Sequence, residues 1–216
     1  MPPLLIATTN LGKLSELKAL LADQGLELTD LLQLGMDLAV AEDGPDYDSI
    51  AHRKATLYAA ASGLWTIADD TGLEVDALAG APGVRSARLS QDDPSRRAEL
   101  LRLLAAHPRP WTARFRCSVA LAGPRGEVAL GRGDCGGEIV TQERGDSGFG
   151  YDPIFQEAGT QRTLAELPAL EKNQISHRAR AVHDLLARLA RGALPGSPLS
   201  PPSISRAAGG RCDRGR

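Results

Sequence analysis

Leu64-Trp65-Thr66-Ile67-Ala68-Asp69-Asp70-Thr71-Gly72 sets a short apolar run directly against a pair of acids. Leu64 to Ala68 reads as a buried strand that stops at Asp69-Asp70-Thr71-Gly72. Just upstream, Ser49 to about Ser62 has helical spacing. Asp48 or Ser49 can cap it, Ile50, Leu57 and Ala61 share one face, and Gly63 ends it. A helix that hands the chain straight to a buried strand is a building unit of α/β folds. The start of the chain has the same two units in the opposite order. Leu4 to Thr8 reads as a strand, Thr9-Asn10-Leu11-Gly12 as a break, and Lys13 to about Ala22 as a helix carrying Leu14, Leu17, Leu20 and Leu21.

Downstream of the acid pair, Asp92-Asp93-Pro94 opens a third helix, with Asp93 as cap and Pro94 in the first turn, running to about Ala106. Thr112 to Leu121 alternates, with Ala113, Phe115, Cys117, Val119 and Leu121 on one side. Gly123-Pro124-Arg125-Gly126 turns the chain, and Glu127 to Gly131 begins the return strand of a hairpin. A last helix from Ser176 to about Arg191 buries Ala179, Val182, Leu186 and Leu189. The reading is a mixed α/β domain over residues 1–191, its central sheet partly antiparallel and flanked by helices. From Gly192 to Arg216, Gly, Pro and Ser make 13 of 25 residues, and this tail is expected to be disordered.

The 216 residues carry a net charge of −2 and 42% hydrophobic side chains, enough for a sizeable core. Such a balance argues against a nonspecific nucleic-acid binder, which needs excess Lys and Arg. No apolar run approaches the roughly 18 residues that span a bilayer. Cys117, Cys135 and Cys212 lack zinc-like spacing, so reduced thiols and a cytoplasmic location are expected.

Four segments carry chemistry. Thr8-Thr9-Asn10-Leu11-Gly12-Lys13 puts hydroxyls, free helix N–H groups and an ammonium together, which suits a polyphosphate, although Asn10 serves equally as a plain helix cap. Asp69-Asp70 suits a hard cation such as magnesium, or a backbone-capping turn, and strand alternation lets only one of the two face a given ligand. Gly148-Phe149-Gly150-Tyr151-Asp152-Pro153 offers aromatic rings and close backbone approach to a flat base, or a tight loop pinned on the core. Lys172-Asn173-Gln174-Ile175-Ser176-His177-Arg178 places a capping serine and two basic side chains at the last helix start.

Together with Gly83-Val84-Arg85-Ser86-Ala87-Arg88, these segments resemble the inosine triphosphate pyrophosphatase family, also called dITP/XTP pyrophosphatases, in order and spacing from about residue 4 to 190. The resemblance implies an elongated, two-lobed fold around a central cleft, working as a homodimer without membrane or nucleic-acid partners. It implies hydrolysis of non-standard purine nucleoside triphosphates to the monophosphate and pyrophosphate, with Mg2+ as cofactor. Asp70 is implied as the catalytic carboxylate and a metal ligand, with Glu42 the second acid on the ion. Thr8, Thr9, Asn10, Leu11, Gly12 and Lys13 are implied to cradle the triphosphate, with Lys172 adding counter-charge. Phe149, Gly150, Tyr151 and Asp152, with His177 and Arg178, are implied to stack on and read the base.

Three positions depart from the family pattern. Thr71 replaces Ser and keeps a hydroxyl in the substrate site, Ile50 stands where Asn is common, and Leu89 replaces an aromatic. Two alternatives stay open: a nucleotide-binding sensor without catalysis, and a Maf-like pyrophosphatase for other modified nucleotides.

Overall fold

The computed structural model describes residues 2–192. The expected C-terminal tail therefore lies outside the described residues from position 193 onward. In chain order the elements are β1 (Leu4–Ile6), α1 (Leu11–Leu21), β2 (Leu28–Asp30), α2 (Tyr47–Ser62), β3 (Thr66–Val75), β4 (Pro82–Gly83), α3 (Asp93–Leu104), β5 (Trp111–Ala122), β6 (Val128–Ile139), β7 (Phe155–Glu157), α4 (Ala169–Ile175) and α5 (His177–Gly192). The strands form one mixed sheet in the order β2-β1-β3-β5-β6-β7, with β4 also pairing β3. Only β2, β1 and β3 run parallel; every other pairing is antiparallel.

The edges of β3 decide where a site can form. On one side all ten of its residues pair with β5, from Thr66 opposite Ala122 to Val75 opposite Ala113. On the other side β1 pairs only Thr66 and Ile67, and β4 only Leu73 and Glu74. Between those partners, Ala68 to Gly72 face a gap in the sheet. The gap opens at the carboxyl end of the parallel strands, where open α/β sheets place their ligands.

Three apolar clusters surround this gap. Leu4, Ile6, Leu17, Leu21, Ile67, Val119, Val182 and Leu185 join α1 and α5 to one face of the sheet. Leu5, Ala51, Ala55, Tyr58, Ala68 and Ala120 join α2 to the opposite face. A third cluster packs Leu100 and Leu104 of α3 against Leu73, Trp111, Phe115, Tyr151 and Phe155 at the far end of the long strands. α5 comes so close to β6 that a Cβ on Gly133 would lie 2.3 Å from the His177 carbonyl oxygen. One on Gly131 would lie 2.3 Å from that of Ala181. Glycine is required there by contact, not by a turn.

Several sequence expectations are corrected. β3 does not stop at Asp69 but runs through to Val75, because β5 pairs with every one of its residues to that point. The first helix begins at Leu11, capped by Asn10, which accepts from the Lys13 N–H at 3.0 Å. α2 is capped by Asp46, and Asp48 instead holds Arg132 and Ser118. Its buried face is Ile50, Ala51, Lys54, Ala55, Tyr58 and Ala59, while Leu57 is exposed. α3 is capped by Asp92, with Asp93 the first helical residue. The return strand β6 extends to Ile139. The last helix keeps its expected cap, since Ser176 Oγ accepts from the Ala179 N–H at 3.2 Å.

Candidate active site

A chain of buried charges crosses the gap. Lys13 of α1 meets Asp69 at 3.1 Å, and the Asp69 side chain is fully buried. Arg178, in the first turn of α5, donates from Nε and Nη2 to the same Asp69 oxygen at 3.2 and 3.1 Å, and from Nη2 to Thr71 at 3.3 Å. Its Nη1 reaches Glu16, one turn beyond Lys13 on α1. Glu16 also accepts from Lys172 at 2.6 Å, and Lys172 donates to Asp152 at 2.6 Å. Asp152 in turn accepts the Phe149 N–H at 2.8 Å, which ties the aromatic loop to the network. Three acids and three bases thus alternate from the loop to the strand, each paired with the next, as buried charges require, although Asp69 Oδ1 has no partner among the described residues.

Burial alone would push the Asp69 carboxyl up, but Lys13, Arg178 and Lys54 outweigh it and hold the group well below the usual carboxylate range. Asp70 is the contrast. Burial pushes its carboxyl up to about 6, against the pull of Lys13 and Lys54. Its Oδ2 is buried with no hydrogen-bond partner. Glu42 lies close enough for its charge to raise Asp70 further. It comes from the irregular strap before α2 and is fixed by Lys54 at 2.7 Å. Lys54 is itself buried and donates to the Asp69 carbonyl at 3.0 Å, filling a backbone acceptor that the missing strand partner leaves open.

Two cavities flank these groups. The first is lined by Asn10, Lys13, Thr71, Phe115, Phe149, Gly150, Tyr151, Asp152, Lys172, His177 and Arg178, with Ser86, Asp93 and Arg96 on its far wall. His177 stacks on Phe115 with ring centroids 4.6 Å apart and planes 18° from parallel. Burial, then the charges of Arg178 and Lys172, hold its imidazole well below the usual value, so it is neutral. The Phe149 ring lies 5.1 Å from the Lys172 ammonium and 5.7 Å from the Arg178 guanidinium, within cation–π range. It also covers Gly12 so closely that a Cβ there would fall 2.3 Å from the ring. The second cavity, about 520 Å³, is lined by Thr8, Thr9, Glu42, Lys54, Tyr58 and Arg88 together with the strap residues Asp37 to Val40.

The structure therefore brings most of the expected site residues to two adjoining spaces. Leu11, Gly12 and Asp70 line neither: the Leu11 side chain is 75% exposed, Gly12 lies under the Phe149 ring, and Asp70 is buried in β3 beside Thr71. Sequence reasoning missed Glu16 and Lys54. A signal existed for each, since Glu16 stands three residues from Lys13 on one helical face and Lys54 falls between Ala51 and Ala55 on an apolar face. Cys117 and Cys135, whose thiols burial pushes up to about 12 and about 11, take no part.

The fold and sequence are shared with known proteins. A dITP/XTP pyrophosphatase of Desulfotalea psychrophila is 43% identical over 190 residues, covering 87% of this chain and 85% of that protein. One of a Nostoc species is 45% identical over 188 residues, covering 87% and 94%. Among solved structures, a HAM1 protein from Coxiella burnetii superposes with a TM-score of 0.78 at 36% identity, covering 88% of this chain and all of that one. A nucleoside-triphosphatase / dITP/XTP pyrophosphatase from Mycobacterium abscessus gives 0.68 at 40% identity, covering 86% and 99%. With the Ham1 family pattern matched across residues 4–188, from β1 through α5, the chain belongs to the Ham1 family.

Proposed function

We propose that this protein hydrolyses non-standard purine nucleoside triphosphates (dITP, ITP and XTP) to the monophosphate and pyrophosphate, removing them before they enter DNA or RNA. The carrying observation is the split at the β3 gap: on one side Asp69 bonded through Oδ2 by Lys13 and Arg178, on the other Asp70 with no cation bonded to it among the described residues and its buried Oδ2 without a partner. Curated relatives bear the name of this activity.

The first cavity is the base site in this reading. Arg178 has five N–H donors and spends four on Asp69, Thr71 and Glu16; Lys172 has three and spends two. One donor remains on each. Two donors suit an oxygen at the purine 6-position and are left unpaired by an amino group, at about 1–3 kcal/mol each. Phe149 and Tyr151 supply the flat walls, and Gly150, Asp152 and His177 complete the pocket. Thr8 and Thr9 line the second cavity and Asn10 and Lys13 the first, so this segment with Gly12 runs from one to the other and takes the triphosphate, with Thr71 beside the acid pair.

Asp70 and Glu42 fit a magnesium ion. Magnesium prefers oxygen ligands and is commonly held by one or two carboxylates plus substrate phosphates. Among the described residues no group of three or more His, Cys, Asp or Glu gathers for a metal. Two buried carboxylate oxygens lack a partner there, Asp69 Oδ1 and Asp70 Oδ2, and of these Asp69 already has Lys13 and Arg178 on its other oxygen, which leaves Asp70 to the ion. Bound there, the ion supplies charge neutralisation for the phosphate oxygens. Asp70 positions the attacking water and accepts its proton, Lys13 offsets charge on the leaving pyrophosphate, and Arg178 and Lys172 hold the base. We place the enzyme in the cytoplasm, acting as a homodimer, which sedimentation of the purified chain checks directly.

The deciding assay incubates the protein with ITP, XTP, dITP and ATP in magnesium and measures pyrophosphate, orthophosphate and monophosphate. Pyrophosphate release strongly favouring the first three is expected. Orthophosphate as the product, or equal rates with ATP, refutes the proposal.

A further inference from the structure

The base loop is held by a helix that carries none of the chemistry. Gly150 stands between Phe149 and Tyr151, and all three line the first cavity. Its φ is +63°, while a Cβ added there would meet nothing within 4 Å. Glycine is thus demanded at this position by conformation and not by space. Something must hold that conformation in place, and α3 does so from both sides. Asp93 accepts the Gly150 N–H at 2.7 Å, and Arg97 donates to the Gly150 carbonyl at 2.9 Å. These are the two peptide units flanking Gly150, so both of its backbone torsions are pinned from one helical turn.

Both clamp residues are set in advance. Arg97 is paired to Glu143 by two parallel bonds at 2.8 and 3.0 Å, and its side chain is only 11% exposed. Asp93 is held by Arg96 at 2.6 Å. A bidentate arginine–carboxylate pair fixes the guanidinium plane, and with it the Nη1 that donates to the Gly150 carbonyl.

We propose that Asp93 and Arg97 are positioning residues for base recognition: by fixing the Gly150 backbone they set the angle between the Phe149 and Tyr151 walls, and so control nucleotide affinity and base discrimination without touching the phosphates. The proposal rests on the base-site reading above. Water attack takes place at Asp70 on the middle of β3, a different element, so the clamp acts on KM and not on kcat.

The test compares wild type with Arg97→Gln, Arg97→Lys and Glu143→Gln, using ITP and ATP with magnesium. Loss of a charge-assisted hydrogen bond predicts a roughly tenfold rise in KM for ITP in Arg97→Gln. Its kcat stays within about twofold, and the preference for ITP over ATP shrinks by a similar factor. Arg97→Lys, which keeps a donor, recovers part of the loss, and Glu143→Gln gives a smaller rise in the same direction. A lower melting temperature with KM and the ITP/ATP ratio unchanged marks a purely structural role and overturns the clamp, as does a fall in kcat alone. Failure of wild type to release pyrophosphate from ITP sinks the function instead, and is read in the same assay before any variant is compared.

Discussion

Consecutive on β3, Asp69 and Asp70 point to opposite faces of the sheet and meet opposite surroundings. Asp69 looks toward α1 and α5, where Lys13 and Arg178 bond it directly and hold it ionised. Asp70 lies on the α2 face with Ala68 and Ala120, has no cation bonded to it among the described residues, and is pushed up by burial to about 6. A carboxylate that already has its cations organises a site. One that is buried and left short of them is costly to the fold and available to a ligand. The same residue type thus takes two roles because strand alternation sends it to two environments.

Asparagine substitutions separate the two roles. Asp70→Asn is expected to lower kcat roughly 10²–10⁴-fold while leaving nucleotide affinity largely intact, because the proton acceptor is lost while the amide oxygen and Glu42 still serve the ion and the base contacts stand. Stability moves the other way. A raised folded-state value means that Asp70 favours folding most below its unfolded value of 3.8 and loses that advantage as pH rises through about 6. At pH 7 without metal the charged group is therefore a burden, and its neutral replacement is expected to gain roughly 1–3 kcal/mol in urea unfolding. A variant that keeps its turnover, or that is destabilised, breaks the contrast from the Asp70 side.

Asp69→Asn is expected to do the reverse. It strands Lys13 and Arg178 with one fewer anion in a dry site and should cost about 3–5 kcal/mol of unfolding free energy. Nucleotide binding should suffer along with stability, since both cations line the first cavity. Urea titration of the two variants side by side gives shifts of opposite sign. Shifts of the same sign would mean that the two carboxylates do not differ as their contacts say.

How much of this was legible in the sequence follows from which interactions are local. The Asn10 and Ser176 caps reach three residues along the chain, and both were legible as capping residues, although the first helix starts at Leu11 and not at Lys13. The alternation from Ala113 to Leu121 needed no partner to be read, and it is the buried side of β5. The continuation of β3 past Asp69 was hidden, because a strand bordered by a gap carries polar residues where a fully paired one carries apolar ones. The rest of β6 was hidden by Gly131 and Gly133, which erase the alternation in order to admit α5. In the site, Lys13, Arg178 and the Gly148 to Asp152 loop stood out as segments, but nothing local announced which acid each cation would meet. Glu16 and Arg178 are 162 positions apart, and only the packing of α5 beside α1 brings them together.

The smallest effect tests whether the cations around Asp69 reach beyond it. His177 is buried on Phe115. Burial first, then Arg178 and Lys172, keep it neutral, with Lys13 adding to them and Asp69 opposing. A depressed folded-state value means that the unfolded chain takes up the proton near 6.5 while the folded protein does not. Stability is then complete above that pH and falls below it, by up to roughly 1.4 kcal/mol per pH unit. Asp70 titrates in the same range with the opposite sign, so the wild-type profile alone mixes the two groups. The difference between wild type and His177→Phe, which keeps the stacked ring, cancels Asp70 and isolates the imidazole. That difference, measured by urea unfolding from pH 7.5 to 4.5, should be flat above 7 and move in favour of the variant as the solution becomes acidic. A difference that stays level down to pH 4.5 would mean that His177 accepts a proton in place, and that the positive field of Lys13, Lys172 and Arg178 is spent entirely on the acids that pair with them.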